Sequence, residues 1–157
     1  MNECERIARQ LEKALHGEAW HGPSWEEVLD RVTRKQALHR PIPGAHTIAE
    51  IVLHMTSWHD IVRRRFAGEV PQVTAEEDWP KASLRTDAAW KAAVARLFET
   101  GGALRKVIAR FPVAKLHTKR PRTNGTWYDL ALGQLQHDLY HAGQVAVLRK
   151  AKVRARK

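Results

Sequence analysis

Apolar residues at helical spacing, separated by strong helix-start and helix-end signals, recur along this chain. Ile7, Leu11 and Leu15 lie four residues apart and so share one face of a helix. Residues 24–27 (Ser-Trp-Glu-Glu) and 47–50 (Thr-Ile-Ala-Glu) are capping boxes, in which the hydroxyl and the glutamate each satisfy a free backbone amide. No segment alternates apolar and polar residues long enough to predict a strand. The pattern therefore predicts an all-α fold.

The same signals predict four long helices and one short helix. The long helices cover residues 2–16, 47–67, a segment from about 83–86 to Pro112, and 127–150; the short one follows Ser24 to about Val32, between the first two long helices. Residues 69–82 are expected to be a loop with one turn starting at Thr74, and 115–125 a polar, basic loop. Gly101 and Gly102 fall inside the third long helix, where we expect a kink.

The length of 157 residues fits one domain, and the helix count favours a four-helix bundle over residues 1–150 with a basic tail at 151–157. One cysteine, Cys4, makes no intrachain disulfide and no CxxC pair. The opening residues are charged, and charges interrupt every apolar stretch. We therefore expect a reduced, cytoplasmic protein without a membrane span.

Positive charge is concentrated in the second half. Residues 1–80 hold 10 Lys/Arg and 13 Asp/Glu, whereas residues 81–157 hold 17 and 4, so the second half supplies all of the excess in the net charge of +10. A basic half is typical of proteins that bind nucleic acid or anionic membrane surfaces. The alternative is that these cations have no binding partner and form a solvent-exposed protein face followed by a basic tail. The last nine residues contain Arg149, Lys150, Lys152, Arg154, Arg156 and Lys157.

Two of the nine histidines, His137 and His141, are four residues apart on the last predicted helix, where both imidazoles can reach one metal ion. The same spacing also arises by chance in a chain with this many histidines. Gln134 and Gln144 extend the pair into a polar stripe beside a buried apolar seam. Buried polar groups without partners cost roughly 1–3 kcal/mol each, so a metal or a water-filled pocket would satisfy the stripe.

His54 lies inside an apolar run of the second long helix. Such a histidine is more often a hydrogen-bonded core residue than a ligand, but it would complete an open site of three imidazoles plus water, the arrangement of catalytic zinc. Such a metal lowers the pKa of a bound water or thiol. Glu50, one turn earlier, either accepts a hydrogen bond from His54 or serves only as the partner of Thr47 in the capping box.

Two neighbouring side chains are expected to point away from the site. His59 is five residues after His54, about 140° around the helix, and should face solvent. Asp138 is about 100° from His137 and is not expected to be a ligand.

Three segments resemble the DinB-like (YfiT-like) superfamily of metal-binding bundles. They are residues 46–58 (HTIAEIVLHMTSW), 63–69 (RRRFAGE) and 136–144 (QHDLYHAGQ), of which the last is the most specific. Their order and spacing extend the likeness from about residue 5 to about residue 150. The resemblance implies an up-down-down-up bundle whose second connection crosses over, and a homodimer.

The resemblance also implies a chemistry. A divalent metal such as nickel, zinc or iron would be held by His54, His137 and His141. Members with an assigned activity are similar to thiol S-transferases that use bacillithiol, mycothiol or glutathione against an electrophile. The absence of a plausible catalytic cysteine fits a thiol that comes from outside the chain.

These observations leave three functions open. The first is a metal-dependent thiol S-transferase, with pocket contacts expected from Trp58, Trp127, Tyr140 and Gln144, each of which could instead be a core residue. The second is a metal-binding bundle without catalysis. The third is a basic helical protein that binds nucleic acid, with the histidines merely packed in its core.

Overall fold

The computed structural model describes residues 1–151, and within them the chain forms eight helices. Four are long: α1 (Glu3–His16), α4 (Ile48–Phe66), α6 (Asp87–Ala109) and α8 (Trp127–Leu148). Four are short: α2 (Trp25–Leu29), α3 (Arg34–Leu38), α5 (Ala75–Asp78) and α7 (Val113–Leu116). In this part of the chain β structure is limited to one isolated antiparallel bridge between Lys119 and Thr126. The all-α prediction is confirmed.

Local capping chemistry explains where the long helices begin. The hydroxyl oxygens of Thr47 and Thr126 each accept a hydrogen bond from the backbone amide three residues later, and the backbone amide of each threonine donates to that residue's carboxylate. Thr86 caps α6 with its side chain, and Thr74 caps the turn expected in the loop after α4. Gly68, with φ of 95°, follows the end of α4 in a conformation that favours glycine.

The sequence prediction differs from the structure at short elements. The prediction omitted α3 and α7, and the helix after Ser24 ends at Leu29 rather than near Val32. Both omitted helices have at most five residues, too few to show an apolar period. The up-down-down-up order, the homodimer and the domain limits remain predictions.

The core forms where α4 and α1 pack against α6 and α8. Leu15, Met55, Leu97 and Leu104 are among the fully buried side chains at its centre. No helix within residues 1–151 combines the length and apolar character needed to cross a membrane.

The end of α8 is attached to the helices near the start of the chain. The Arg149 guanidinium donates to the carbonyl oxygens of Glu27 and Asp30, next to α2. Of the predicted basic tail, Lys152, Arg154, Arg156 and Lys157 lie outside the described residues.

Helix α6 continues through Gly101 and Gly102, where a kink was expected. The two glycines have different surroundings. A Cβ on Gly101 would lie 2.9 Å from Leu15 Cδ1 and 3.2 Å from His59 Cε1, whereas a Cβ on Gly102 would have no neighbour within 4 Å. Gly101 therefore allows α1 and α4 to approach α6 closely.

This difference predicts unequal stabilities for two adjacent alanine substitutions. Gly102→Ala should raise the free energy of unfolding by roughly 0.5–1 kcal/mol, because alanine favours the helix. Gly101→Ala should be less stable than Gly102→Ala by about 1 kcal/mol or more, because its methyl group has no room beside buried Leu15. Urea unfolding of both variants measures the difference. Equal stabilities would contradict the close approach at Gly101.

Candidate metal centre

Three imidazole rings from two helices converge at one point. His54 is on α4, and His137 and His141 are on α8. Nε2 of His137 lies 3.1 Å from Nε2 of His54 and 3.0 Å from Nε2 of His141. Each of the three residues offers a ligand atom within 4.8 Å of the others. The structure therefore brings together the three residues expected to bind a metal.

Hydrogen bonds on the far side of two rings establish which nitrogen is free. His54 Nδ1 lies 2.6 Å from the carbonyl oxygen of Asp78, and His141 Nδ1 lies 2.7 Å from Oε1 of Gln144. Both oxygens only accept hydrogen bonds, so each Nδ1 carries the proton and donates it. Each Nε2 consequently presents a lone pair to the centre of the cluster. Lone pairs at this separation repel one another unless a cation or a proton lies between them.

The donor set fits a divalent metal. Bonds of about 2.0–2.1 Å in a tetrahedral site separate neighbouring ligand nitrogens by about 3.3 Å. The observed separations of 3.0 and 3.1 Å are close to this value. Three neutral nitrogens suit zinc, nickel, copper or iron, and leave one or more positions for another ligand. The geometry therefore supports an open site without selecting the metal.

Burial keeps the three rings in the neutral form that a metal requires. Removal from water lowers the pKa of His54, and burial followed by the charge of neighbouring His54 lowers the pKa of His137. For His141, burial followed by the charge of His137 lowers the pKa to about 4. At neutral pH these nitrogens therefore need not lose a proton before they bind a metal.

The loop after α4 supplies the groups that hold His54. Trp58 Nε1 donates to Oδ1 of Asp78 at 2.7 Å, and the Ser57 hydroxyl donates to the carbonyl oxygen of Glu77, so that α5 is attached to α4. The Trp79 ring stacks on His54 at 3.8 Å between ring centroids. Sequence reasoning missed Asp78 and Trp79. An acidic turn with a tryptophan, directly after the Thr74 cap, was the available signal.

Glu50 performs the capping role rather than that of an acceptor for His54. Its carboxylate bonds to the Thr47 amide at 2.7 Å and to Nη2 of Arg40 at 2.6 Å. The acceptor that His54 uses is the carbonyl oxygen of Asp78.

The four predicted pocket residues have different surroundings. Trp58 meets His137 edge-on at 5.6 Å between centroids, and Tyr140 meets His141 at 5.0 Å. Gln144 binds His141 directly. Trp127 packs in an aromatic group whose other members are Phe66 and Phe111. The first three therefore adjoin the histidines, whereas Trp127 is partly buried and lines a different cleft, together with Arg65 and Arg120.

The prediction that His59 faces solvent is wrong. His59 is 0% exposed, and its Nε2 lies 2.8 Å from Oδ1 of Asp138, which is also fully buried. Nε2 of Gln134 donates to the other oxygen of Asp138 at 3.0 Å. Because α4 packs against both α6 and α8, it has a second buried face that a single apolar stripe does not reveal. This pair links the two ligand-bearing helices one residue from His137.

Comparison with known protein families agrees with this geometry. The profile of the DinB superfamily matches residues 19–145, a range that includes all three histidines. The chain belongs to the DinB superfamily. Neither the comparison with curated proteins nor that with solved structures finds a match. For this DinB-superfamily chain, the resemblance carried by residues 46–58, 63–69 and 136–144 is confirmed.

Metal content tests the site directly. Protein purified without an affinity tag should bind one equivalent of a divalent metal, and His137→Ala should lose it, because two imidazoles remain. His117→Ala removes an exposed histidine just after α7 and should keep the metal. Elemental analysis gives the stoichiometry. Absence of metal after reconstitution with nickel, zinc and iron, or equal loss in both variants, would exclude the site.

The lowered pKa values predict how the metal-free protein responds to acid. Unfolded histidines take up protons near pH 6.5, whereas His141 in the folded chain resists protonation to about pH 4. Between these values the unfolded state binds more protons, so the free energy of unfolding should fall as the pH decreases from about 6.5 to about 4. The fall should be shallower in His141→Gln. Urea unfolding across this range measures both slopes, and identical slopes would contradict the assignment.

Proposed function

We propose that this protein is a metal-dependent thiol S-transferase, in which His54, His137 and His141 hold a divalent metal that activates a low-molecular-weight thiol. The proposal is carried by one observation. Two Nε2 lone pairs are directed at a third imidazole nitrogen, with hydrogen bonds behind the rings fixing their orientation. Bacillithiol, mycothiol and glutathione are the thiols that the family resemblance suggests.

A bound divalent metal would supply positive charge that lowers the pKa of a thiol and favours the thiolate. In the transfer, the thiol proton passes to solvent, and a sulfur–carbon bond forms as the bond from that carbon to the leaving group breaks. The leaving group keeps the electron pair, so no oxidant or reductant is required. The thiol must come from another molecule, because Cys4 is fully buried on α1 and burial raises the pKa of its thiol.

The side chains around the histidines would orient the ligands and limit water. Asp78 and Gln144 keep two Nε2 atoms directed inward by accepting from the opposite nitrogens. Trp79 covers one face of His54 and is itself covered by His46, whose ring stacks on it at 3.5 Å. His137 is only partly buried and lines a cleft of about 380 Å³ together with Trp58. We therefore assign entry of the thiol to the His137 side.

A second cleft would receive an apolar electrophile. Its volume is about 500 Å³, and Ile51, Tyr140, Gln144 and Val147 are among its lining residues. Tyr140 and Val147 are each 63% exposed, so apolar surface is available to a ligand. Tyr140 and Gln144 connect this cleft to His141.

Thiol consumption tests the proposed reaction. Zinc- or nickel-loaded protein should accelerate the reaction of a low-molecular-weight thiol with the aryl halide 1-chloro-2,4-dinitrobenzene, measured by loss of free thiol. His137→Ala should reduce the rate to that of the uncatalysed reaction, and His117→Ala should not. Stoichiometric metal without acceleration for bacillithiol, mycothiol or glutathione would favour the non-catalytic metal-binding alternative.

A further inference from the structure

The cleft at His137 shares a lining residue with a neighbouring cleft that is rich in arginine. Arg120 lines both clefts. The second has a volume of about 270 Å³, and Arg65 and Arg122 also line it. Positively charged groups therefore lie along a path that starts at a candidate metal ligand.

Within residues 1–151 these three guanidinium groups form no ion pair with a carboxylate, although most other ion pairs of the protein involve arginine. Arg65 is partly buried, and its guanidinium lies over the Trp58 ring at 5.5 Å. Burial, followed by the positive charge of Arg120, lowers the pKa of Arg65. A partly desolvated cation beside a second cation is stabilised when an anion binds between them.

The acidic residues nearby offset only part of this charge, although hydrogen bonds from Thr126 and then the charge of Arg120 lower the pKa of Asp129. Glu69 lines the second cleft, but its carboxylate pairs with Nε of Arg64 at 2.9 Å. Asp129 lines the first cleft, and its carboxylate accepts from the backbone amide and hydroxyl of Thr126 at 2.7 and 2.8 Å. The pocket therefore keeps an excess of positive charge.

The loop before α8 holds Arg120 in place. Arg120 Nε donates to the carbonyl oxygen of Thr126 at 3.0 Å. The backbone amide of Arg120 donates to the carbonyl oxygen of Gly125, also at 3.0 Å. A Cβ on Gly125 would lie 3.2 Å from Nη2 of Arg120, so a small residue leaves space for the guanidinium. The bridge between Lys119 and Thr126 closes this loop.

We propose that Arg65, Arg120 and Arg122 form a subsite for the carboxylate of the thiol co-substrate, an inference that rests on the proposed function. The sulfur would lie at the His137 end of these two adjacent clefts and the carboxylate at the arginine end. Trp58 connects the two ends, because its ring contacts both Arg65 and His137. The subsite selects thiols that carry carboxylates, such as glutathione, over uncharged sugar thiols.

Binding of a blocked thiol tests the subsite separately from catalysis. S-methylglutathione keeps both carboxylates but has no S–H group, and calorimetry with metal-loaded protein gives its Kd at low salt. Esterification of both carboxylates should weaken binding by ~10-fold or more, because charge-assisted bonds to arginine are lost. Absence of measurable binding of the free acid, or equal binding of the ester, would overturn the proposal.

Substitutions of single arginines test whether binding depends on the residues of the proposed subsite. Arg120→Gln and Arg65→Gln should each weaken binding of S-methylglutathione by ~10-fold. Arg96→Gln removes the same charge from an exposed ion pair with Glu99 on α6 and should leave the Kd unchanged. Arg120→Lys should restore part of the affinity, which separates loss of charge from loss of the fold. Equal Kd values for the Arg120→Gln variant and the wild type would exclude the subsite.

The outcomes distinguish this inference from the proposed function. Arginine-dependent binding without thiol transfer would support the subsite and contradict the S-transferase. Thiol transfer with Kd values that do not depend on Arg65 or Arg120 would support the S-transferase and contradict the subsite.

Discussion

The approach of Nε2 of His137 to Nε2 of His54 at 3.1 Å and to Nε2 of His141 at 3.0 Å is the interaction on which the account depends. Acceptors at Asp78 and Gln144 hold two of the rings with their lone pairs inward, so the arrangement is stabilised when a cation lies between them. The rest of the fold supports this geometry. The buried pair of His59 and Asp138 links α4 to α8, and α5 is attached to α4 through Trp58 and Ser57.

Sequence reasoning found the features that depend on one helix at a time. The capping box at Thr47 located the start of one ligand-bearing helix, and the spacing of His137 and His141 located the site on the other. Features that depend on packing between helices were missed or wrong. His59 lies about 140° around α4 from His54, as the helix geometry predicts. The sequence of one helix could not show that α6 and α8 cover this second face of α4.

The loop after α4 shows the same limit. Thr74 predicted a turn, yet no periodic pattern indicated that Asp78 and Trp79 would return to contact His54. A backbone carbonyl as the acceptor carries no residue signature at all, since every residue has one. The position of the positive charge in the second half was also not evident from the sequence. Arg120 lies in the loop before α8 and lines a cleft together with His137, whereas α8 itself contains no lysine or arginine.

X-ray absorption at the metal edge of zinc-loaded protein tests the central claim most directly, because it counts the atoms bound to the metal. The account predicts three imidazole nitrogens at about 2.0–2.1 Å together with at least one further light atom, which a thiol ligand would replace with sulfur. A coordination sphere with fewer than three imidazoles, or one made mainly of carboxylate oxygens, would contradict it.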